Sequence, residues 1–207
     1  MYTAKYHKND DPAQIRDFIE KNSFGILVNQ TNDKLWATHI PLEMDVDEAG
    51  NEILTGHIAR ANPQWKNFTD NSPILAIFSG PHTYISSAWY DHENVPTWNY
   101  IAVHVYGTVK IVEGEKLLRS LKKLVDKYES NSPNPVSVDG MSNKFVESQI
   151  KGLVGFEIEI NEIQATYKLS QNRDSINRQN ITQELEKKGD FNSVEIAKEM
   201  RKIKEIS

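Results

Sequence analysis

Residues 98–112 read WNYIAVHVYGTVKIV, and the fold turns on this stretch. Tyr100, Ala102, His104 and Tyr106 fall on one side of an extended chain; Ile101, Val103 and Val105 fall on the other. A period of two in a run rich in β-branched and aromatic residues is the pattern of a strand. Gly107 inside it predicts a bulge, or a bend at a barrel corner. Shorter strand signals lie upstream. Phe24–Asn29 and Leu35–Ile40 are expected to pair across a Gln30–Lys34 turn, and Leu42–Val46 and Ile53–His57 across residues 47–51. Ile74–Ser79 is an apolar run suited to a strand covered on both faces. Downstream, Val154, Phe156, Ile158 and Ile160 alternate with Gly155, Glu157 and Glu159, which gives one dry face. These signals predict six to eight short antiparallel strands, and a barrel is the natural way to bury them.

Helices fill the gaps. Asn9-Asp10-Asp11 before Pro12, with Gln14 three residues after Asp11, reads as an N-cap and capping box. Ile15, Phe18 and Ile19 give that short helix one apolar face, ending near Asn22. Asn62-Pro63 opens another, reaching about Phe68. Leu117, Leu118, Leu121, Leu124, Val125 and Tyr128 form the strongest amphipathic stripe, on a long helix expected between the last two strands. Residues 130–135 break it, and a short helix follows near Ser142–Ile150. After Tyr167 the chain turns polar and helical. Gly189 is expected to close one helix and Ser193 to cap the last, whose stripe is Ile196, Ala197, Met200 and Ile203. Lys198, Arg201, Lys202 and Lys204 interleave there with Glu195, Glu199 and Glu205, the pattern of a solvated face.

Composition sets the outer limits. The 207 residues are 38% hydrophobic and 26% charged, which suits a globular α+β domain. The absence of cysteine excludes disulfides, thiolate metal sites and cysteine nucleophiles. The opening MYTAKYHKNDDP has no apolar signal core, and no apolar run approaches membrane-spanning length, so a cytoplasmic location is expected. A net charge of −5 argues against a whole-molecule field for nucleic acid. Any DNA contact would need a local patch, and no helix-turn-helix with basic recognition residues is present.

Three stretches carry groups with chemical potential. In Gly56–Trp65 a strand runs into Arg60 and then an Asn62-Pro63 helix start. Exposed helix N–H groups beside a guanidinium suit a phosphate, while the plainer reading is an Asn cap with a surface Arg. FSGPHTYISSAWY at 78–90, followed by VPTWNY at 95–100, gathers aromatics with polar tips. Such residues suit a flat, partly polar ligand, or equally core and interface packing. Tyr167–Arg173 concentrates two cations and three hydrogen-bonding side chains at a strand end, where capping and solvated charge are the alternative. Histidines at 7, 39, 57, 82, 92 and 104 form no HExxH pattern, and no metal site is expected. Gly-x-Ser-x-Gly, GxGxxG and Walker patterns are absent.

In order along the chain, HIARANPQW (57–65), FSGPHTYISSAWY (78–90), VPTWNYIAVHVYG (95–107) and KLSQNR (168–173) resemble the signatures of the PaiB family, the FMN-binding negative transcriptional regulators. The resemblance is collinear over nearly the whole chain. It implies a mainly β (α+β) fold: a split antiparallel β-barrel of the FMN-binding type, related to pyridoxamine-phosphate oxidase, with peripheral helices. On this reading residues 1–167 are the barrel and 168–207 a helical extension. It also implies a homodimer with FMN in a cleft between the subunits. Arg60 would hold the FMN phosphate, with His57 and Asn62 beside it. Thr38 and His39 would run along the isoalloxazine ring, with Thr55 on the neighbouring strand. Trp98 and Asn99 would approach from the strand after the aromatic loop, and Lys168 and Arg173 would close the site. The oxidases carry an Arg-Lys pair where this chain has Arg60-Ala61, leaving Asn62 and Lys168 as candidates to compensate.

The function implied is repression of sporulation and degradative-protease genes, exerted directly or through flavin binding, redox sensing or a protein partner. An FMN-dependent oxidoreductase or flavin reductase is the second reading, and a cofactor-free interaction scaffold the third. The fold alone does not choose among them.

Overall fold

The computed structural model describes residues 1–31, 34–69 and 72–203. The centre of the expected Gln30–Lys34 turn, and Lys204 and Glu205 of the expected terminal helix face, lie outside the described residues. In chain order the main elements are β1 (Lys8–Asn9), α1 (Pro12–Lys21), β2 (Phe24–Thr31), β3 (Lys34–Pro41), β4 (Glu43–Val46), β5 (Glu52–Ala59), β6 (Ser72–Ile85), β7 (Thr97–Val112), α2 (Gly114–Glu129), α3 (Asn143–Ile150), β8 (Leu153–Lys168), α4 (Ser175–Lys188) and α5 (Phe191–Arg201). The strands hydrogen-bond in the order β3-β2-β6-β7-β8-β5-β4, with β1 added on β8. That order is not closed, since β3 and β4 stand at its two ends. Two strands are longer than the sequence suggests, β6 with 14 residues and β8 with 16, while β7, Thr97–Val112, begins one residue before the expected stretch. Asn161 and Glu162 interrupt the apolar alternation of β8 but not its extended backbone. No helix among the described residues is long and apolar enough to cross a membrane.

The chain forms two compact units. One comprises Ile19–Ile77 and Val105–Ile163. In it β2 and β3 make the expected hairpin, Phe24 opposite Pro41 through Thr31 opposite Lys34. β5 pairs with β4 on one side and with β8 on the other. Leu27, Leu42, Leu54, Phe156 and Ile158 are wholly buried here. Glycines make the packing possible. A methyl on Gly56 would lie 2.8 Å from the Phe156 ring, and one on Gly155 would lie 2.6 Å from Leu117. At Gly107 it would come 2.1 Å from the Glu159 carbonyl oxygen. Burial alternates without a phase change through Gly107. The glycine therefore serves a close backbone approach; an extra bulged residue would shift the alternation.

α2 corrects a second expectation. Of its apolar stripe only Leu117 is buried; Leu121, Leu124 and Val125 are half-covered and Tyr128 is exposed. The helix is latched by its polar rim instead. Lys123 Nζ donates to both Asp45 carboxylate oxygens at 2.7 Å, Lys127 pairs with Glu43, and Tyr128 OH donates to Glu43 at 3.0 Å.

The other unit comprises Met1–Phe18, Phe78–His104 and Gln164–Ser207. Asp11 caps α1 as expected: its carboxylate accepts from the backbone N–H groups of Ala13 and Gln14, and from the Gln14 side chain at 2.8 Å. A methyl on Gly80 would meet the Phe18 ring at 2.5 Å, so the strand gives way to that ring. Phe78, Ile85, Ile181, Leu185, Ile196 and Ala197 are wholly buried. Gly189, at φ +72, ends α4 in the left-handed conformation that glycine adopts freely. Asp190, not Ser193, caps α5, accepting from Ser193 N at 3.0 Å and Ser193 Oγ at 2.7 Å. Asp190 takes the cap because it directly follows the glycine stop. The solvated face expected of α5 is present as Lys198–Glu195 and Lys202–Glu199 pairs at 2.6 Å.

Gly107→Ala is expected to cost at least the roughly 1–3 kcal/mol typical of overpacking. Leu117→Ala should cost about 2–5 kcal/mol as a buried leucine, and half-covered Leu121→Ala clearly less. Urea denaturation of the three variants measures this order; an unchanged midpoint for Gly107→Ala would rule out the close approach.

Candidate functional site

Where β5 ends, a braced turn begins. The Asn62 side-chain oxygen accepts from Gln64 N at 3.0 Å, and its amide donates to the Thr38 hydroxyl at 2.9 Å. Thr38 in turn donates its one proton to the Gln64 amide oxygen. Gln64 is wholly buried and commits both amide hydrogens, to Leu27 O and to Asn29 Oδ1, each at 3.1 Å. Strands β2 and β3 and the turn after β5 are thus joined through one side chain. A buried polar network rigidifies when its members are satisfied; here the one orphan is the buried Asn29 amide nitrogen.

Arg60 stands on this braced turn. Its Nε donates to Lys151 O and its Nη2 to Leu153 O, both at 2.9 Å, and its ring neighbour is Trp65 at 5.6 Å. A guanidinium has five N–H donors, so most remain uncommitted, and among the described residues no carboxylate pairs with the exposed charge. The expected helix is a single 3-10 turn, Pro63–Asn67, whose first orphan N–H the Asn62 side chain already satisfies. Anion binding here therefore rests on the guanidinium, not on a helix dipole.

The other expected residues of this unit are placed separately. Thr55 is buried, opposite Glu43 and Glu157 in the ladders. His57 is half-buried opposite Gly155, and burial pushes its pKa down. His39 is exposed on β3, its ring 6.4 Å from that of Phe24. β3 pairs only with β2 among the described residues, so its outer backbone groups are available to a ligand.

The remaining expected residues lie in the other unit, at the start of β7, at the end of β8 and in the loop after it. Trp98 is about half exposed, with His82 and Tyr84 at ring distances of 6.2 and 6.1 Å. Asn99 is wholly buried, its amide paired with the Ser170 hydroxyl at 3.0 Å and touching Met200 Sδ at 3.5 Å. Lys168 donates to the Thr97 hydroxyl at 2.6 Å; burial and the nearby Arg173 charge lower its pKa. Arg173 lies 5.2 Å from the centre of the Tyr90 ring. Lys168 and Arg173 line the same cleft, of about 410 Å³.

Several participants escaped sequence reading. Gln64 sits inside a quoted motif, yet nothing in the sequence separates a buried glutamine from a solvated one. Gln171 holds the loop after β8, accepting from Leu169 N at 2.8 Å and donating to Tyr167 O. Because Leu169 N–H fixes which end of the amide is oxygen, His7 Nδ1, 3.0 Å away, is the donor to it. Ser170 takes φ +58, a conformation uncommon outside glycine. The aromatic opening with Tyr2, Tyr6 and His7 was the available signal that the N-terminal segment takes part.

The family model described as "Putative FMN-binding domain" matches residues 1–162. The chain is 43% identical over 200 residues to "Protease synthase and sporulation protein PAI 2" of Bacillus subtilis (strain 168), covering 97% of this chain and 96% of that protein. Among solved structures it is similar to the FAD and heme binding protein from Mycobacterium smegmatis, at a TM-score of 0.61 and 10% identity over 78% of this chain and 73% of that one. The flavocytochrome Anf3 from Azotobacter vinelandii gives 0.59 and 14% over 80% of this chain and 72% of its own. At these identities the likeness is one of fold, and it is the split β-barrel expected from the sequence.

His7, His57 and His104 all have pKa values lowered chiefly by burial. The unfolded chain then binds more protons than the folded one, so this stability is complete above the ordinary value of about 6.5 and is lost as pH falls below it. The urea midpoint is expected to drop between pH 7.5 and 5.5, and to drop less in His57→Asn; equal slopes would remove His57 from this effect.

Proposed function

Because the chain belongs to the family described as "Putative FMN-binding domain", and is similar over its length to a protein named "Protease synthase and sporulation protein PAI 2", we propose that it is an FMN-binding regulatory protein acting as a homodimer. FMN is the cofactor that the family description supplies, and the residues present fit it. The observation that carries the reading is the uncompensated Arg60 guanidinium on a turn braced by Asn62, Thr38 and Gln64. An exposed guanidinium with free donors suits a phosphate, which it can meet with paired hydrogen bonds. Bracing keeps the orientation of the turn from being lost to side-chain and backbone freedom. Thr38 acts here as a positioning residue, since its proton is already given to Gln64.

The ring end has support from β3. Its outer backbone edge offers alternating donors and acceptors, which the polar edge of an isoalloxazine can match beside Thr38 and His39. Thr55 and His57, on β5, complete the neighbouring strand of this seat. Bound FMN would supply a ring that accepts and releases reducing equivalents. A net charge of −5 favours control of gene expression through that bound state or a protein partner over broad attraction to DNA.

FMN titrated into the full chain should quench flavin fluorescence with saturation at one per subunit. Arg60→Ala removes charge-assisted hydrogen bonds worth roughly 1.5–3 kcal/mol, so the affinity should fall about ten-fold or more. An Arg60→Ala protein that binds FMN as tightly as the parent would refute the phosphate seat. Sedimentation equilibrium should return twice the subunit mass.

A further inference from the structure

A phosphate monoester carries a charge of about −1.5 to −2 at neutral pH, more than one guanidinium offsets. At the braced turn Ala61 brings no charge, and Asn62, itself neutral, has its side-chain oxygen taken by Gln64 N at 3.0 Å. A cation able to make up the difference is held at the same turn from across the ladder. β5 and β8 pair as far as Ala59 opposite Leu153, and the Arg60 N–H continues the contact by donating to Gly152 O at 2.8 Å. The Arg60 side chain then donates from Nε to Lys151 O and from Nη2 to Leu153 O, both at 2.9 Å. One residue thus grips the consecutive carbonyls of Lys151, Gly152 and Leu153, and keeps Lys151 beside the guanidinium.

The grip decides which part of the guanidinium is free. Nε and Nη2 share one edge of the planar group, so both Nη1 hydrogens and the second Nη2 hydrogen are left for a ligand on the far edge. The Trp65 ring centre lies 5.6 Å from the guanidinium carbon, and its indole N–H donates to Arg60 O at 2.8 Å, so the arginine is flanked as well as clasped. Lys151 is exposed and makes no ion pair among the described residues. It directly follows Ile150, the last residue of α3, where the orphan carbonyls of a helix end favour positive charge. Those carbonyls gather two cations without neutralising either, since they carry only partial negative charge. On its flexible four-carbon stem the ammonium can turn from the helix end to a phosphate that the guanidinium has already oriented.

We propose that Lys151 is the second cation of the phosphate seat at Arg60, and that the pair sets the preference for FMN over unphosphorylated riboflavin. One cation comes from the turn after β5 and the other from the connection between α3 and β8, within the same compact unit. This rests on the flavin reading of the turn and adds to it the source of the second counter-charge. Lys66, exposed on the 3-10 turn that follows Arg60 and also without an ion pair among the described residues, is the rival cation.

FMN and riboflavin are each titrated into the full chain by fluorescence quenching, with thermal unfolding of every variant as the check on folding. Lys151→Gln is expected to lower the ratio of FMN to riboflavin affinity about five-fold, the upper range for a single exposed ion pair. Lys151→Arg should keep most of the ratio, and Lys151→Glu should lower it further than Lys151→Gln. The difference between parent and Lys151→Gln should shrink in about 1 M salt, where exposed charges are screened. Either Lys151→Gln or Lys151→Glu decides if the other does not fold. A ratio unchanged by the substitution overturns the proposal, as does a loss that Lys151→Arg fails to restore or that salt leaves intact. So does a loss in Lys66→Gln without one in Lys151→Gln, which makes Lys66 the second cation. Failure of the flavin reading is seen separately: FMN affinity indifferent to Arg60→Ala, or no FMN binding at all, overturns that reading and the role of Lys151 with it. A loss in Arg60→Ala beside an unchanged Lys151→Gln overturns the role of Lys151 alone.

Discussion

Room for a single methyl group is missing at three points around β8, and much of the architecture follows from that. Phe156 needs Gly56 opposite it, Leu117 needs Gly155 beneath it, and the Glu159 carbonyl needs Gly107. These contacts bring β5, α2 and β7 up against one strand. Interiors packed at crystal-like density transmit a change of one carbon, so glycine at these positions is a packing requirement. The conformational freedom of glycine has no part in it, since none of the three has a positive φ.

The charge distribution separates surface from site. Most cations of the helices are neutralised where they stand: Lys123 by Asp45, Lys127 by Glu43, Arg201 by Glu186. Exposed pairs of this kind contribute little individually, but they leave no local field. Arg60, Lys168 and Arg173 differ, having backbone, hydroxyl or ring neighbours in place of carboxylates. In a chain that is acidic overall, these three have no carboxylate partner among the described residues.

Local chemistry was readable from the sequence wherever neighbouring residues decide the outcome. The Asp11 cap, the Asn62 cap and the Gly189 stop each depend on residues within one turn, and the two hairpins on alternation and turn composition. What escaped depends on distant parts of the chain. Gly107 suggested a bend because the Glu159 carbonyl is invisible from residue 107. The stripe of α2 announced an amphipathic helix but not how little of it would be covered. Arg60 stood out as a cation at a strand end, whereas Gln64 acquires meaning only when β2 and β3 close over it. Ser193 was expected to cap the last helix, but Asp190, directly after the Gly189 stop, takes that place and accepts from the Ser193 N–H.

The pairing of the chain's opening with its later half carries a consequence for biosynthesis. Lys8 and Asn9 ladder with Thr166 and Ala165, and the hydroxyls of Thr3 and Thr166 meet at 2.6 Å although 163 residues apart. On a ribosome the first residues emerge long before their partners exist. The N-terminal strand must wait, solvated and unmatched, until β8 has left the exit tunnel, while hairpins such as β2–β3 can form as they appear. Closure over so great a separation is the slow kind of contact. The unit that contains both the aromatic opening and the Lys168–Arg173 loop is therefore completed only once β8 and that loop have been made, so a product truncated before β8 would lack it.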